Sequence, residues 1–322
     1  MIYGHGGDIY TYQDMLDFSV NVNPLGTPER VITAAKRGVE SAAVYPDSRC
    51  GRLREKLAGK QNLPEESYIF GNGVADIIYT LVLAEKPKRA LIPVPAFSEY
   101  EQALECAGCE IKYYYTKENN CFCIDSDFLK ELKKDVDIVF LCSPVNPSGH
   151  RLDKQLMKQA ADICEENGIR LVVDECFVEF LQETEKYSMI DNVKKYRQLF
   201  ILRAFTKIYA MAGLRLGYGI SSDCGLLERM ERASQPWSVS VPAQEAGIAA
   251  LDEDMYVENA RNLIVKERDY LERELKKMGI KFVSSDVNFI LLYTRINLFD
   301  KMRNHGILIR NCENYRGLGR GW

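Results

Sequence analysis

From about residue 68 to residue 220, short apolar runs alternate with amphipathic segments. The runs are "RALIPV" (89–94), "EIKYYY" (110–115), "DIVFLC" (137–142), "RLVVD" (170–174), "QLFILR" (198–203) and "LGYGIS" (216–221). Helical patterns lie between several of them. In "DKQLMKQAADICEENG" the spacing puts Leu156, Ala160 and Ile163 on one face, with Gly168 as the stop. Such alternation predicts an α/β fold with a mostly parallel sheet and helices on both faces. "DIVFLC" and "RLVVD" are nearly continuously apolar, as strands buried on both faces should be.

After about residue 235 the texture changes. "PWSVSVPAQEAGIAAL" leads into a long charged helix, roughly 254–278, then "KFVSSDVNFILLYT", another helix and "GILIR". This reads as a smaller α+β unit over 236–322. Residues 41–235 are expected to form the large domain, and residues 1–40 an arm that joins the small one. A chain of 322 residues is long enough for this division.

Composition excludes several partners. The net charge is −4 and no basic block stands out, so nucleic acid is not expected. No run of about 18 apolar residues exists, so no membrane span is expected. "MIYGHGGDIY" lacks the basic start and apolar stretch of a signal peptide. With ten cysteines, this points to reduced thiols and a cytoplasmic location. Cys106 and Cys109 in "CAGC", followed by Cys121 and Cys123, do not have the spacing of a zinc knuckle. There are three histidines and no H-E-x-x-H, so no metal is expected.

In open α/β sheets, ligands bind at the carboxyl ends of strands. "LCSPVNPSG" places Asn146 there, "LVVDECF" places Asp174, and "ILRAFTK" places Thr206 and Lys207. "YIFGNGVADII" is a glycine turn opening a helix, with backbone N–H groups at Gly73 and Val74 expected to be free for a phosphate. "RAFTKIYAMAGLRLGYG" (203–219) sets Lys207 and Arg215 among apolar and small residues. Singly, each has a plain explanation. A strand-end Asp caps or turns, and a Lys is usually solvated. "GNGVAD" departs from a dinucleotide fingerprint at Asp76.

Together these residues match the needs of pyridoxal 5′-phosphate. Lys207 supplies an amine for the Schiff base, Asp174 a carboxylate for the pyridine nitrogen, and Asn146 a donor for the ring hydroxyl. Gly73, Val74, Thr206 and Arg215 form a phosphate cradle, and Phe97 in "PVPAFSEY" gives a face to stack on. Asp174 as an anion would keep the pyridine nitrogen protonated. Arg215 would fork onto the phosphate. A dry setting beside a cation would favour the neutral Lys207 amine.

The ordered series "GNG", "PAF", "NPSG", "DECF", "TK" and "GLRLGY" resembles the fold-type-I pyridoxal phosphate enzymes, aminotransferase class I/II, over nearly the whole chain. The resemblance implies a homodimer in which Tyr45 of "VYPDS" reaches the cofactor phosphate of the second subunit. Within the family, "HGGDIY" (5–10) and "DFSVNVNPLG" (17–26) are similar to the opening of the L-threonine-O-3-phosphate decarboxylases of cobalamin biosynthesis. In those enzymes an H-G-G arm lies over the substrate. Phe97 and Phe177 also look like that group, where histidinol-phosphate aminotransferases would carry tyrosine.

The resemblance therefore implies His5, Gly6, Asn21 and Arg310 as contacts for a small phosphorylated amino acid. The implied reaction is decarboxylation of O-phospho-L-threonine to (R)-1-aminopropan-2-ol phosphate. Transamination of histidinol phosphate is the alternative, since the outcome depends on which α-carbon bond stands perpendicular to the cofactor ring. The family also implies, beyond "RGLGRGW", a strand whose arginine clamps the α-carboxylate, and a terminal helix. Only Arg316 and Arg320 offer substitutes here, so a truncated, cofactor-binding protein without turnover is a third reading.

Overall fold

The computed structural model describes residues 4–322, so the first three residues of the expected arm lie outside the described residues. Eleven strands run, in chain order, β1 Leu16–Phe18, β2 Tyr68–Gly71, β3 Arg89–Val94, β4 Glu110–Tyr115, β5 Ile138–Cys142, β6 Arg170–Asp174, β7 Leu199–Ala204, β8 Gly217–Ile220, β9 Lys281–Val283, β10 Leu291–Tyr293 and β11 Ile307–Ile309. The helices are α1 Glu29–Glu40, α2 Gly51–Gln61, α3 Val74–Glu85, α4 Ser98–Cys106, α5 Lys154–Asn167, α6 Thr184–Tyr187, α7 Phe205–Ile208, α8 Cys224–Ala233, α9 Val241–Ala250, α10 Asp254–Lys277 and α11 Leu298–Arg303.

Seven strands form one sheet in the order β2-β8-β7-β6-β5-β3-β4. Strands β3 to β7 pair in parallel, while β8 is antiparallel to both β7 and β2. All six expected strands are present. The seventh, β2, is only four residues long; "YIFG" was read as the approach to a glycine turn, yet every residue of it is buried. The chain steps outward from β3 to β4, then returns to the other side of β3 with β5. That reversal opens a crevice at the carboxyl ends of β3 and β5, next to β6.

Helices cover both faces of the sheet. On one, Ile77, Ile78 and Leu81 of α3, Leu104 of α4 and Met230 of α8 pack on Ile92, Phe140, Val172 and Phe200. On the other, Leu53 and Leu57 of α2, Met157 of α5 and Ala246 of α9 join Val139, Leu171, Val173 and Ile201. Each such Leu or Ile contributes about 1.5–3 kcal/mol through burial.

The expected face of α5 is displaced by one position. Met157, Ala160, Ala161 and Cys164 are buried, whereas Leu156 and Ile163 are half-buried. The buried row is the i, i+3, i+4, i+7 set centred on two alanines, and its small side chains let the helix lie close to the sheet. The helix does stop at Gly168, whose φ is +70° and whose N–H caps the Cys164 carbonyl.

Away from the large sheet, β9 and β10 pair antiparallel and β1 pairs in parallel with β11, Asp17 facing Leu308. Phe122, Val283, Leu291 and Cys312 form a small core there, with Tyr315, Leu318 and Trp322 against it.

Candidate cofactor and substrate site

Asp174 ends β6 and is 5% exposed. Its Oδ1 accepts the Cys176 backbone N–H at 2.9 Å, and its Oδ2 accepts the Tyr100 hydroxyl at 2.5 Å. Burial pushes the carboxyl pKa up, and these donors oppose that push.

One strand away, β7 ends at Ala204 and the chain turns into α7, which carries Thr206 and Lys207. The Lys207 ammonium is held below the usual lysine range, chiefly by burial, with the Arg215 charge adding to it. Its Nζ lies 5.7 Å from the centroid of the Phe177 ring. The segment is fastened from outside the sheet. The Asn23 backbone N–H donates to the Lys207 carbonyl at 3.0 Å, and Asn23 Nδ2 donates to the Ile208 carbonyl at 2.7 Å. Asn23 is 2% exposed. In "NVNPLG" it reads as a turn former, and only a partner 185 residues away reveals its role.

The glycine turn precedes α3. Gly73 has φ +82°, and a Cβ there would fall 2.3 Å from Arg215 Nη2. Gly217 is thin for the same purpose: its Cβ would fall 2.7 Å from the Val74 nitrogen. Only one of the two donors expected to be free can serve. The Gly73 N–H is spent on the Gly71 carbonyl at 2.8 Å because the turn is so tight, and Val74 is the first residue of the helix. Arg215 is exposed, with Nη1 donating to the Ala212 carbonyl at 3.3 Å, so the apolar run around it in sequence is not a buried surround.

Phe97 precedes α4, with its ring edge-on to Tyr100 at 5.7 Å. Asn146 follows β5, and its Oδ1 accepts the Tyr315 hydroxyl at 3.3 Å. His5 Nε2 lies 3.1 Å from Glu99 Oε1, two residues past Phe97. Gly6 is pressed so tightly on Ser19 that a Cβ would fall 1.9 Å from its carbonyl oxygen. Arg310 Nη2 donates to the Gly4 carbonyl at 2.5 Å and to Asn314 Oδ1 at 2.7 Å. Asn21 is half-buried.

The structure thus gathers Asp174, Lys207, Thr206, Gly73, Val74 and Arg215 on neighbouring elements of the sheet's carboxyl end. Gly4, His5 and Gly6 are tied to Arg310, Glu99 and Ser19 respectively. Tyr45 is not drawn into this group: it is 76% exposed and stacked on Trp237 at 4.5 Å. Arg316 is ion-paired with Glu101 and lies over the Tyr113 ring, and Arg320 is exposed.

Two features escaped sequence reasoning. One is Tyr100. The other is the buried pair beside Asp174, where Arg203 Nη2 meets Glu175 Oε2 at 2.8 Å. Glu175 also accepts the Ser188 hydroxyl and the Met189 N–H. "DE" in the sequence gives no sign that the two carboxylates face different partners.

The donor set fits pyridoxal phosphate. An amine biased towards neutrality, a buried carboxylate, and a glycine cradle that any Cβ would fill occupy adjacent positions. Among the described residues no three His, Cys, Asp or Glu side chains are grouped to hold a metal, and no helix is long and apolar enough to cross a membrane.

This architecture is fold type I, and the chain belongs to the aminotransferase class I and II family, which matches residues 13–321. The family is pyridoxal phosphate-dependent. Among curated proteins, the chain is similar to the threonine-phosphate decarboxylase of Salmonella typhimurium, at 34% identity over 98% of this chain and 89% of that protein. It is also similar to the histidinol-phosphate aminotransferase of Symbiobacterium thermophilum, at 31% identity over 94% of this chain and 83% of that one. Among solved structures, the histidinol-phosphate aminotransferase of Clostridium acetobutylicum matches with a TM-score of 0.88 and 32% identity, covering 95% of this chain and 92% of that one.

Proposed function

We propose that the chain is a pyridoxal phosphate-dependent lyase that decarboxylates O-phospho-L-threonine to (R)-1-aminopropan-2-ol phosphate, a step of cobalamin biosynthesis. The observation that carries this reading is the "HGG" arm, whose His5 meets Glu99 and whose preceding Gly4 carbonyl accepts from Arg310. The 34% identity to a threonine-phosphate decarboxylase supports it.

When bound, the cofactor supplies an electron sink for negative charge developing at the substrate's α-carbon. Lys207 would provide the attaching amine, which burial biases towards the neutral form. Asp174, as an anion, would hold the proton on the pyridine nitrogen. Asn146, its Oδ1 already engaged by Tyr315, would donate from Nδ2 to the ring hydroxyl. Val74 N–H, Thr206 and Arg215 would hold the phosphate, and Phe97 would cover the ring. His5, Gly6, Asn21 and Arg310 would grip the substrate's phosphate and carboxylate and so orient the bond to the carboxylate for cleavage. Carbon dioxide would leave by cleavage of that bond, and Lys207, having taken up the proton released by the substrate's ammonium on attachment, would return a proton to the α-carbon.

The reading extends to assembly and place. A homodimer would bring Tyr45, stacked on Trp237 at the surface, to the partner's phosphate cradle. The division into an arm (1–40), a large domain (41–235) and a small domain (236–322) is supported at its ends by the β1–β11 pairing. Ten free cysteines support a cytoplasmic location.

The test is carbon dioxide release from O-phospho-L-threonine in the presence of the cofactor and without any keto acid. Release establishes the lyase. Turnover of histidinol phosphate only with 2-oxoglutarate would replace it by the aminotransferase reading, which the Clostridium acetobutylicum structure favours. Cofactor uptake with neither activity would leave a binding protein.

A further inference from the structure

The site contains a buried hydroxyl that the reading above does not use. Tyr100 is 1% exposed, on α4. Its ring stacks on Phe140 of β5, with centroids 4.8 Å apart and planes at 17°, and lies edge-on to Phe97. Its hydroxyl meets Asp174 Oδ2 at 2.5 Å, while Oδ1 is already held by the Cys176 N–H. We propose that Tyr100 is a positioning residue that keeps Asp174 ionised and aimed, and thereby governs protonation of the cofactor's pyridine nitrogen. The proposal rests on the cofactor reading above.

The reasoning starts from desolvation. A carboxylate this buried loses its hydration and drifts towards the neutral acid unless donors replace the water. A neutral Asp174 could not hold a proton on a ring nitrogen. The donors here are fixed in place. The Cys176 N–H belongs to the backbone, and the Tyr100 ring is locked between Phe140 and Phe97.

The proton stays on the tyrosine, because burial and the neighbouring carboxylate raise the phenol well above its ordinary value. Hydrogen bonds to a charged group are among the stronger ones. The other groups that face Asp174 have competing engagements. The Cys142 thiol on β5 donates to the Pro144 carbonyl at 3.1 Å. Glu175 is turned to Arg203. Lys207 approaches from α7 as a cation or a neutral amine, and the Cys176 thiol, which bonds Asp174, stays protonated because burial raises it. Tyr100 is therefore the one side chain on another element whose hydroxyl is directly bonded to this carboxylate among the described residues. It also packs against the aromatic that would cover the ring, so a single side chain ties ring stacking to ring protonation.

The test uses Tyr100→Phe in the full chain, which keeps both aromatic contacts and removes only the oxygen. In the cofactor-free protein, the Asp174 carboxyl is titrated by 13C NMR, with Asp174→Asn to assign it. The pKa is expected to rise by about one to two units, the worth of a hydrogen bond to a charge. With cofactor, kcat is expected to fall with KM nearly unchanged, and the pH at which the visible band changes is expected to move upward.

Replacing Tyr100 by 3-fluorotyrosine strengthens the donor without disturbing packing, and should shift the carboxyl downward. An Asp174 titration that neither substitution moves overturns the proposal. If the wild-type chain takes up no pyridoxal phosphate, the cofactor reading fails, and the cofactor-free titration still reports on Tyr100.

Discussion

At the scale of single residues, the proposed chemistry rests first on Lys207 and Arg215, whose residue types are out of keeping with their neighbours in the sequence. Lys207→Ala should abolish the visible absorption band formed on adding pyridoxal phosphate, and a persisting band would refute the assignment. Because burial and the Arg215 charge lower the Lys207 pKa, its amine should react with an acylating reagent at lower pH than a free lysine does. Arg215→Gln removes one of the two causes, so the rate profile of the cofactor-free protein should move to higher pH. A profile that stays put would remove Arg215 from that role. Legibility ended where partners are distant. Tyr100 reads as a core aromatic at its helical spacing, and its hydroxyl acquires meaning only when a separation of 74 positions is folded away.

Among elements, the alternating apolar runs disclosed the parallel strands, because strands buried on both faces must be apolar throughout. They did not disclose β2, too short to show a pattern, nor the antiparallel setting of β8. The phase of α5 was missed by one position because alanine gives weak hydrophobic contrast. The β6–β7 pair holds the Arg203–Glu175 bridge, 7% and 1% exposed in the side chains. Glu175→Ala should destabilise the protein by about 3–5 kcal/mol in urea unfolding, because Arg203 is left charged and unpaired. Paired replacement by Glu175→Met and Arg203→Leu should recover most of the loss. The turn into α3 is as sensitive. Gly73→Ala forces a side chain onto a positive φ and onto Arg215, and should cost about 1–3 kcal/mol of stability. Cofactor affinity, followed by titration of the visible band, should weaken as well.

For the whole molecule, the proposed homodimer makes a prediction about Tyr45. Tyr45 and Trp237 form an exposed stacked pair remote in sequence from Lys207. If Tyr45 serves the partner's cofactor, Tyr45→Ala and Lys207→Ala subunits should each be inactive alone. Mixed and re-equilibrated, they should regain about a quarter of wild-type activity, because a symmetric interface lets half the dimers form one intact site of two. No recovery in dimers verified by sedimentation would exclude Tyr45 from the partner's site. The sequence could not settle this, since patterning within one chain carries no information about a second copy.

The joining of β1 to β11, reinforced by the Arg310 contact to Gly4 across 306 positions, also has a temporal meaning. A ribosome delivers Gly4 early and its anchor, Arg310, 306 positions later. Until then the arm has no strand to pair with, and loop closure over such a span is slow. The central sheet can bury its core and expose a glycine cradle well before this happens. A nascent chain would thus form its glycine turn early, and seat its arm only once β11 has been made.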